Sequence, residues 1–139
     1  MLNLLFGRKT KVLIVNDSRR EAGELAGCLP SAEFSVIKAE TAHTGFEAAA
    51  RERPEIILLD SELSSGSSWE TLDRLKSDAK TSSIPVLMCT PAGDHGLAEL
   101  AAARAQGCIP KPLKRDVVIT RVARRLNRAG NGASRKSYF

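Results

Sequence analysis

The stretch EIILLDSELSSGSSW, Glu55 to Trp69, decides how the rest of the chain reads. Four apolar residues, Ile56 to Leu59, run without interruption into Asp60, and the chain then turns to serine and glycine. A short aliphatic run closed by turn residues is the pattern of a strand buried on both faces. A carboxylate at the end of such a strand is costly unless something there uses it.

Working outward, similar runs recur. KVLIV (Lys11–Val15) leads into NDS, PVLMCT opens at Pro85, and CIPKP gives a short last strand. FSVIKAE (Phe34–Glu40) alternates, which suits a strand nearer a sheet edge. Helical segments lie between. Ser18 can cap RREAGELAGCL, with Glu21 in the first turn and Ala22, Leu25, Ala26 and Leu29 on the apolar face, and Pro30 stops it. TAHTGFEAAARER is alanine-rich and ends at Pro54. WETLDRLKSDAK places Trp69, Leu72 and Leu75 on one side, and Asp94 is a plausible cap for DHGLAELAAARAQG. RDVVITRVARRLNR is the final helix. A strand–helix order repeated five times predicts an α/β fold with a parallel sheet covered on both faces. Such sheets place their sites outside the carboxyl ends of the strands. That selects Asn16 and Asp17 after the first strand, Asp60 after the third, Thr90 after the fourth and Lys111 after the fifth.

These side chains suggest one chemistry. Oxygen ligands from Asp17 and Asp60 suit a hard cation such as Mg²⁺. Lys111 is a point charge able to hold an anion beside Asp60. Thr90 can donate a hydrogen bond to an oxyanion. A carboxylate so placed can attack phosphorus and form an aspartyl phosphate.

The bounds agree. At 139 residues the chain holds one domain with a real core. Apolar residues make up 42% and aromatics 4%, so that core is aliphatic rather than an aromatic stacking surface. Cys28, Cys89 and Cys108 are odd in number and lack CxxC spacing; they read as reduced thiols, which predicts a cytoplasmic protein. No apolar run approaches membrane-spanning length, and MLNLLFGRK has its charges in the wrong order for a secretory signal. The net charge of +5 is unevenly placed. Residues 114–139 carry eight Lys/Arg against one acid, whereas residues 1–113 carry thirteen against fifteen. Nucleic acid is thus expected, if at all, only at the basic tail.

VLIVND, IILLD, PVLMCT and KPL, in this order and spacing, resemble the receiver domain of bacterial two-component response regulators. The resemblance covers about residues 10–128, with 1–9 as an N-terminal extension and 129–139 as a basic flexible tail. It implies a flavodoxin-like (βα)5 doubly wound sheet in strand order 2-1-3-4-5. It implies Asp60 as phosphoacceptor, Asp17 as Mg²⁺ ligand, Thr90 as the switch hydroxyl and Lys111 as the phosphate-binding lysine. The implied partners are a histidine kinase or phosphotransfer protein and a downstream protein target, with no membrane and dimerisation left open.

Four positions depart from the family pattern. Asn16 stands where a second acid is usual, so Mg²⁺ binding is expected to be weak, with Asn16 contributing at most through water. SSGSSW replaces the usual Pro and Asp-Gly after the phosphoacceptor. Cys108 stands where an aromatic switch residue is common. Pro91 follows Thr90 where a backbone N–H normally faces the phosphoryl group, and proline has none. Glu62 flanks the site, and its backbone carbonyl is a candidate metal contact.

The expected function is a stand-alone receiver that accepts phosphoryl on Asp60 and signals by protein–protein interaction. It is no enzyme beyond Mg-dependent self-phosphorylation and dephosphorylation. The rival is a phosphorylation-independent pseudo-receiver; a flavodoxin-like cofactor binder is disfavoured because no loop offers a phosphate cradle. GxxxxGK[ST], HExxH and GxSxG motifs are absent, and no helix-turn-helix fits the remaining length. His43 and His95 read as surface or capping residues, Trp69 as a packing residue, and Arg121, Arg124, Arg125 and Arg128 as a solvated helix face.

Overall fold

The computed structural model describes residues 7–129. The MLNLLF start and the tail beyond Ala129 lie outside the described residues.

Five strands, β1 (Thr10–Val15), β2 (Phe34–Ala39), β3 (Ile56–Asp60), β4 (Val86–Thr90) and β5 (Cys108–Pro110), alternate with five helices. The helices are α1 (Arg19–Gly27), α2 (Ala42–Glu52), α3 (Ser68–Ser77), α4 (His95–Arg104) and α5 (Arg115–Ala129). All strand pairs are parallel, in order β2-β1-β3-β4-β5. The parallel sheet is what the repeated strand–helix pattern predicted, and its order is the flavodoxin-like one that the family resemblance implied.

Alternation along the inner strands divides the core in two. Val12, Ile14, Ile56, Leu58, Leu87 and Cys89 pack with Leu25 of α1 and Val118 and Val122 of α5. Leu13, Val15, Ile57, Leu59, Val86 and Met88 pack on the opposite face with Ala48 and Ala49 of α2, Leu72 and Leu75 of α3 and Ala101 of α4. Both faces of β3 are therefore covered, which is why its sequence shows no polar alternation. Fully burying each such aliphatic side chain contributes roughly 1.5–3 kcal/mol. At Gly45 the α2 backbone comes so close to β1 that a Cβ would stand 2.8 Å from Cγ1 of Val15.

Local chemistry sets the helix ends. Ser18 accepts from Glu21 N–H to start α1, and Asp94 from Leu97 N–H to start α4. Helix α3 is shorter than the run WETLDRLKSDAK suggests. It ends at Ser77, because Asp78 turns extended and its carboxylate takes the Lys80 N–H.

His43 and His95 are exposed, and His43 lies against Glu47. Trp69 packs against the second core layer under the Arg104 guanidinium, which also pairs with Asp73. The solvated-face reading of the α5 arginines needs correction. Arg124 is exposed, but Arg121 and Arg125 donate to the carbonyls of Cys108 and Gln106, each at 2.6 Å. Strand β5 is a sheet edge, and these guanidiniums occupy carbonyls that another strand could pair with. The Arg128 side chain lies outside the described residues.

Cys28, Cys89 and Cys108 are free. Burial pushes the Cys89 thiol up to about 12, so it stays protonated and unreactive near neutrality. No helix among the described residues is long and apolar enough to cross a membrane.

Candidate functional site

Strand register brings the polar strand ends to one edge of the sheet. Val15 pairs with Leu59 and Asp60 with Cys89, so Asn16 and Asp17 leave β1 beside Asp60, one position before Thr90 closes β4. Lys111 follows β5, its N–H donating to the Thr90 carbonyl at 2.8 Å. The Lys111–Pro112 bond is cis.

Asp60 is 3% exposed, and its carboxylate is held from two sides. Lys111 Nζ stands 2.8 Å from Oδ1, and the Glu62 N–H donates to Oδ2 at 3.1 Å. The Ser68 hydroxyl donates to the Asp60 carbonyl at 2.6 Å and accepts from Leu63 N–H, tying the start of α3 to the strand end. Glu62 is exposed and meets Asp60 through its amide. Thr90 is 1% exposed, and its hydroxyl has no hydrogen-bond partner among the described residues. A buried hydroxyl left unpaired is costly, which points to a site arranged for a ligand oxygen.

Asp17 is held by the serine loop. Its Oδ2 accepts from the amide of Ser64 at 2.7 Å and from the hydroxyl of Ser64 at 2.6 Å. Those bonds, hydroxyl first, hold the Asp17 carboxyl below its ordinary range, against a smaller opposing effect of burial. Asn16 is occupied too: its Oδ1 accepts from Ser18 N–H at 2.8 Å and its Nδ2 donates to Glu21. The oxygen donors suit a hard cation in kind, yet no three acidic, histidine or cysteine side chains among the described residues group to hold a metal. Mg²⁺ keeps several waters and takes one or two carboxylates, so Asp17 and Asp60 fit it in kind, with Ser64 already holding Asp17.

Glu21 is the residue that sequence reasoning missed. Its Oε1 lies 2.9 Å from Lys111 Nζ and 3.2 Å from Asn16 Nδ2. Burial works to raise the Glu21 pKa, but Lys111 and Asn16 outweigh it and hold the carboxyl below its ordinary value. Burial likewise opposes the Lys111 charge, and the bonds to Asp60 and Glu21 outweigh it, raising the Lys111 pKa. One signal was available: a residue three positions past the cap at Ser18 can reach back toward the strand end.

A doubly wound parallel sheet thus carries at its carboxyl edge a buried carboxylate, a lysine and a buried hydroxyl with no partner among the described residues. Sequence comparison gives the family. The response regulator receiver domain profile matches residues 12–123, and the chain belongs to that family. It is 34% identical over 80 residues to the protein PilH of Pseudomonas aeruginosa, covering 58% of this chain and 66% of PilH. It is 31% identical over 125 residues to the phosphate regulon transcriptional regulatory protein PhoB of the same organism, covering 88% of this chain and 54% of PhoB. The chain thus spans less than two thirds of each of these relatives. The fold is similar to the chemotaxis response regulator CheY4 of Vibrio cholerae, with a TM-score of 0.75 at 21% identity over 84% of this chain and 98% of CheY4. Receiver domains are signalling modules of two-component systems, not classical enzymes. They interact with histidine kinases or phosphotransfer proteins and with downstream effectors, and in general bind Mg²⁺ at the phosphorylation site.

Proposed function

We propose that the chain is a receiver that takes a phosphoryl group on Asp60. The observation that carries this reading is the pairing of Asp60 Oδ1 with Lys111 Nζ at 2.8 Å at the strand ends where the buried Thr90 hydroxyl has no partner among the described residues. A carboxylate oxygen of Asp60 would attack phosphorus as the bond from phosphorus to the donor nitrogen or oxygen breaks. The leaving group departs with that electron pair, giving an acyl phosphate. Lys111 offsets charge on the phosphoryl oxygens, and Thr90 donates to one of them.

The donor is a histidine kinase or phosphotransfer protein. The domain passes the signal by altered binding to another protein as phosphorylation shifts an existing conformational equilibrium. Asp17 and Asp60 bind Mg²⁺ weakly, because Asn16 lacks a carboxylate and Ser64 already holds Asp17.

Intact mass after incubation with Mg²⁺ and a small phosphodonor tests the reading. The expected result is a gain of one phosphoryl group that is absent in Asp60→Asn. A second reading, a phosphorylation-independent pseudo-receiver, draws on the internal partners of Asp17 and Asn16. An unmodified wild type under these conditions would favour it.

A further inference from the structure

Lys111 has two carboxylate partners, and only one of them is the residue that would carry phosphoryl. Its Nζ lies 2.8 Å from Asp60 Oδ1 and 2.9 Å from Glu21 Oε1. The same Glu21 oxygen accepts from Asn16 Nδ2 at 3.2 Å. The amide orientation follows from its surroundings: Asn16 Oδ1 takes the Ser18 N–H, which leaves the nitrogen facing Glu21. Asn16 is 3% exposed, and the Lys111 and Glu21 side chains are 17% and 21% exposed, so water screens these contacts little.

An ionised carboxylate at position 16 could make no such bond. It has no N–H to offer and would set a like charge against Glu21. The amide is therefore suited to seating Glu21 on Lys111. With Glu21 seated, the lysine is shared. An arriving phosphoryl group must draw Lys111 from one carboxylate while passing the negative charge of another.

We propose that Asn16 and Glu21 form a brake on this site: Asn16 seats Glu21, and Glu21 is a positioning residue that withholds the Lys111 ammonium from a phosphoryl group arriving at Asp60. The proposal rests on the phosphoacceptor reading and extends it to residues that reading does not use. It also gives the amide at position 16 a role of its own, as the hydrogen-bond donor that a second acid could not be.

The test compares wild type, Glu21→Gln and Glu21→Ala, each checked for folding by circular dichroism. Phosphoryl uptake from a small phosphodonor with Mg²⁺ is followed by intact mass. Both variants are expected to take up phosphoryl roughly tenfold faster, the scale on which one nearby charge acts at a partly buried site. The Lys111 Nζ signal in nitrogen NMR supplies a readout that a purely structural Glu21 would not move. It should shift in Glu21→Ala, and it should shift in the same direction in Asn16→Ala while Glu21 is still present. Uptake in wild type that is unchanged or slower in both folded variants overturns the brake and leaves the phosphoacceptor reading standing. An unmoved Lys111 signal in Glu21→Ala also overturns it. Absence of uptake in wild type and in every variant overturns the phosphoacceptor reading, and the brake falls with it.

Discussion

Ser64 closes on Asp17 twice, its amide at 2.7 Å and its hydroxyl at 2.6 Å from the same carboxylate oxygen. These residues are 47 positions apart, so the contact fastens the serine loop after β3 to the loop after β1. A serine can do this because it offers a backbone and a side-chain donor together. A proline there could offer neither.

The first prediction follows from that competition. A cation that binds through Asp17 must displace Ser64 or accept a partly neutralised oxygen. Hydrogen bonds to a charged group contribute about 1.5–3 kcal/mol, so removing the hydroxyl bond is expected to tighten binding by roughly tenfold. Ser64→Ala should therefore bind Mg²⁺ more strongly in calorimetry, and Ser64→Pro, which loses both donors, more strongly still. Equal or weaker affinity in both would show that Asp17 is not a ligand.

Acid should destabilise the domain through Glu21. Its carboxyl is held below the ordinary value of 4.5, so its contribution to stability is present above pH 4.5 and is lost as pH falls through the folded value. Lys111 runs the other way. Its contribution is present below its ordinary value of 10.5 and is lost only as pH rises through the raised folded value. Urea unfolding between pH 3 and 7 should show the loss in wild type and a flatter profile in Glu21→Gln. Identical profiles would mean that the Glu21–Lys111 contact contributes nothing to folding.

Packing gives a prediction independent of the site. A methyl group added at Gly45 would press on the branched, stiff Val15 side chain, which is 1% exposed and immediately precedes Asn16. Overpacking of this kind costs about 1–3 kcal/mol. Gly45→Ala should lower the thermal midpoint despite the better helix propensity of alanine. A midpoint that rises would mean that α2 can move away from β1 at little cost.

The parts of this molecule that were legible in sequence are those set by local pattern. Ile56–Leu59 reads as a doubly buried strand because both of its faces are covered, and each strand-end polar residue follows from the chain direction. The partners across the site were not legible. Glu21 and Lys111 are 90 positions apart, and nothing in either neighbourhood encodes the other. Ser64 stood in a run of similar serines, with no signal to single it out for Asp17. The arginines of α5 show only that they avoid the core. Their use on the carbonyls of Gln106 and Cys108 depends on β5 being an edge of three residues.

Pro91 supplies the sharpest remaining test. Thr90 is buried with a hydroxyl that has no partner among the described residues, and its carbonyl is already taken by the Lys111 N–H at 2.8 Å. A phosphoryl oxygen facing Thr90 would find that hydroxyl, but it finds no donor at the next backbone nitrogen, because proline has no N–H. Losing one oxyanion donor in an enzyme removes roughly 3–4 kcal/mol of transition-state stabilisation. Here the loss should be smaller, since Pro91 is only half-buried and water can fill part of the gap. Proline also holds the residue before it in extended geometry. Thr90 already ends a strand, so this does not strain the resting state; it resists a departure from it. Pro91→Ala is therefore expected to speed phosphoryl uptake and to enlarge the amide NMR response of the loop from residue 91 to the Asp94 cap. Rapid uptake in wild type with no change in Pro91→Ala would make the missing donor irrelevant. A faster reaction with an unchanged loop response would separate the two effects, assigning proline the loss of a hydrogen bond and not the stiffening of Thr90.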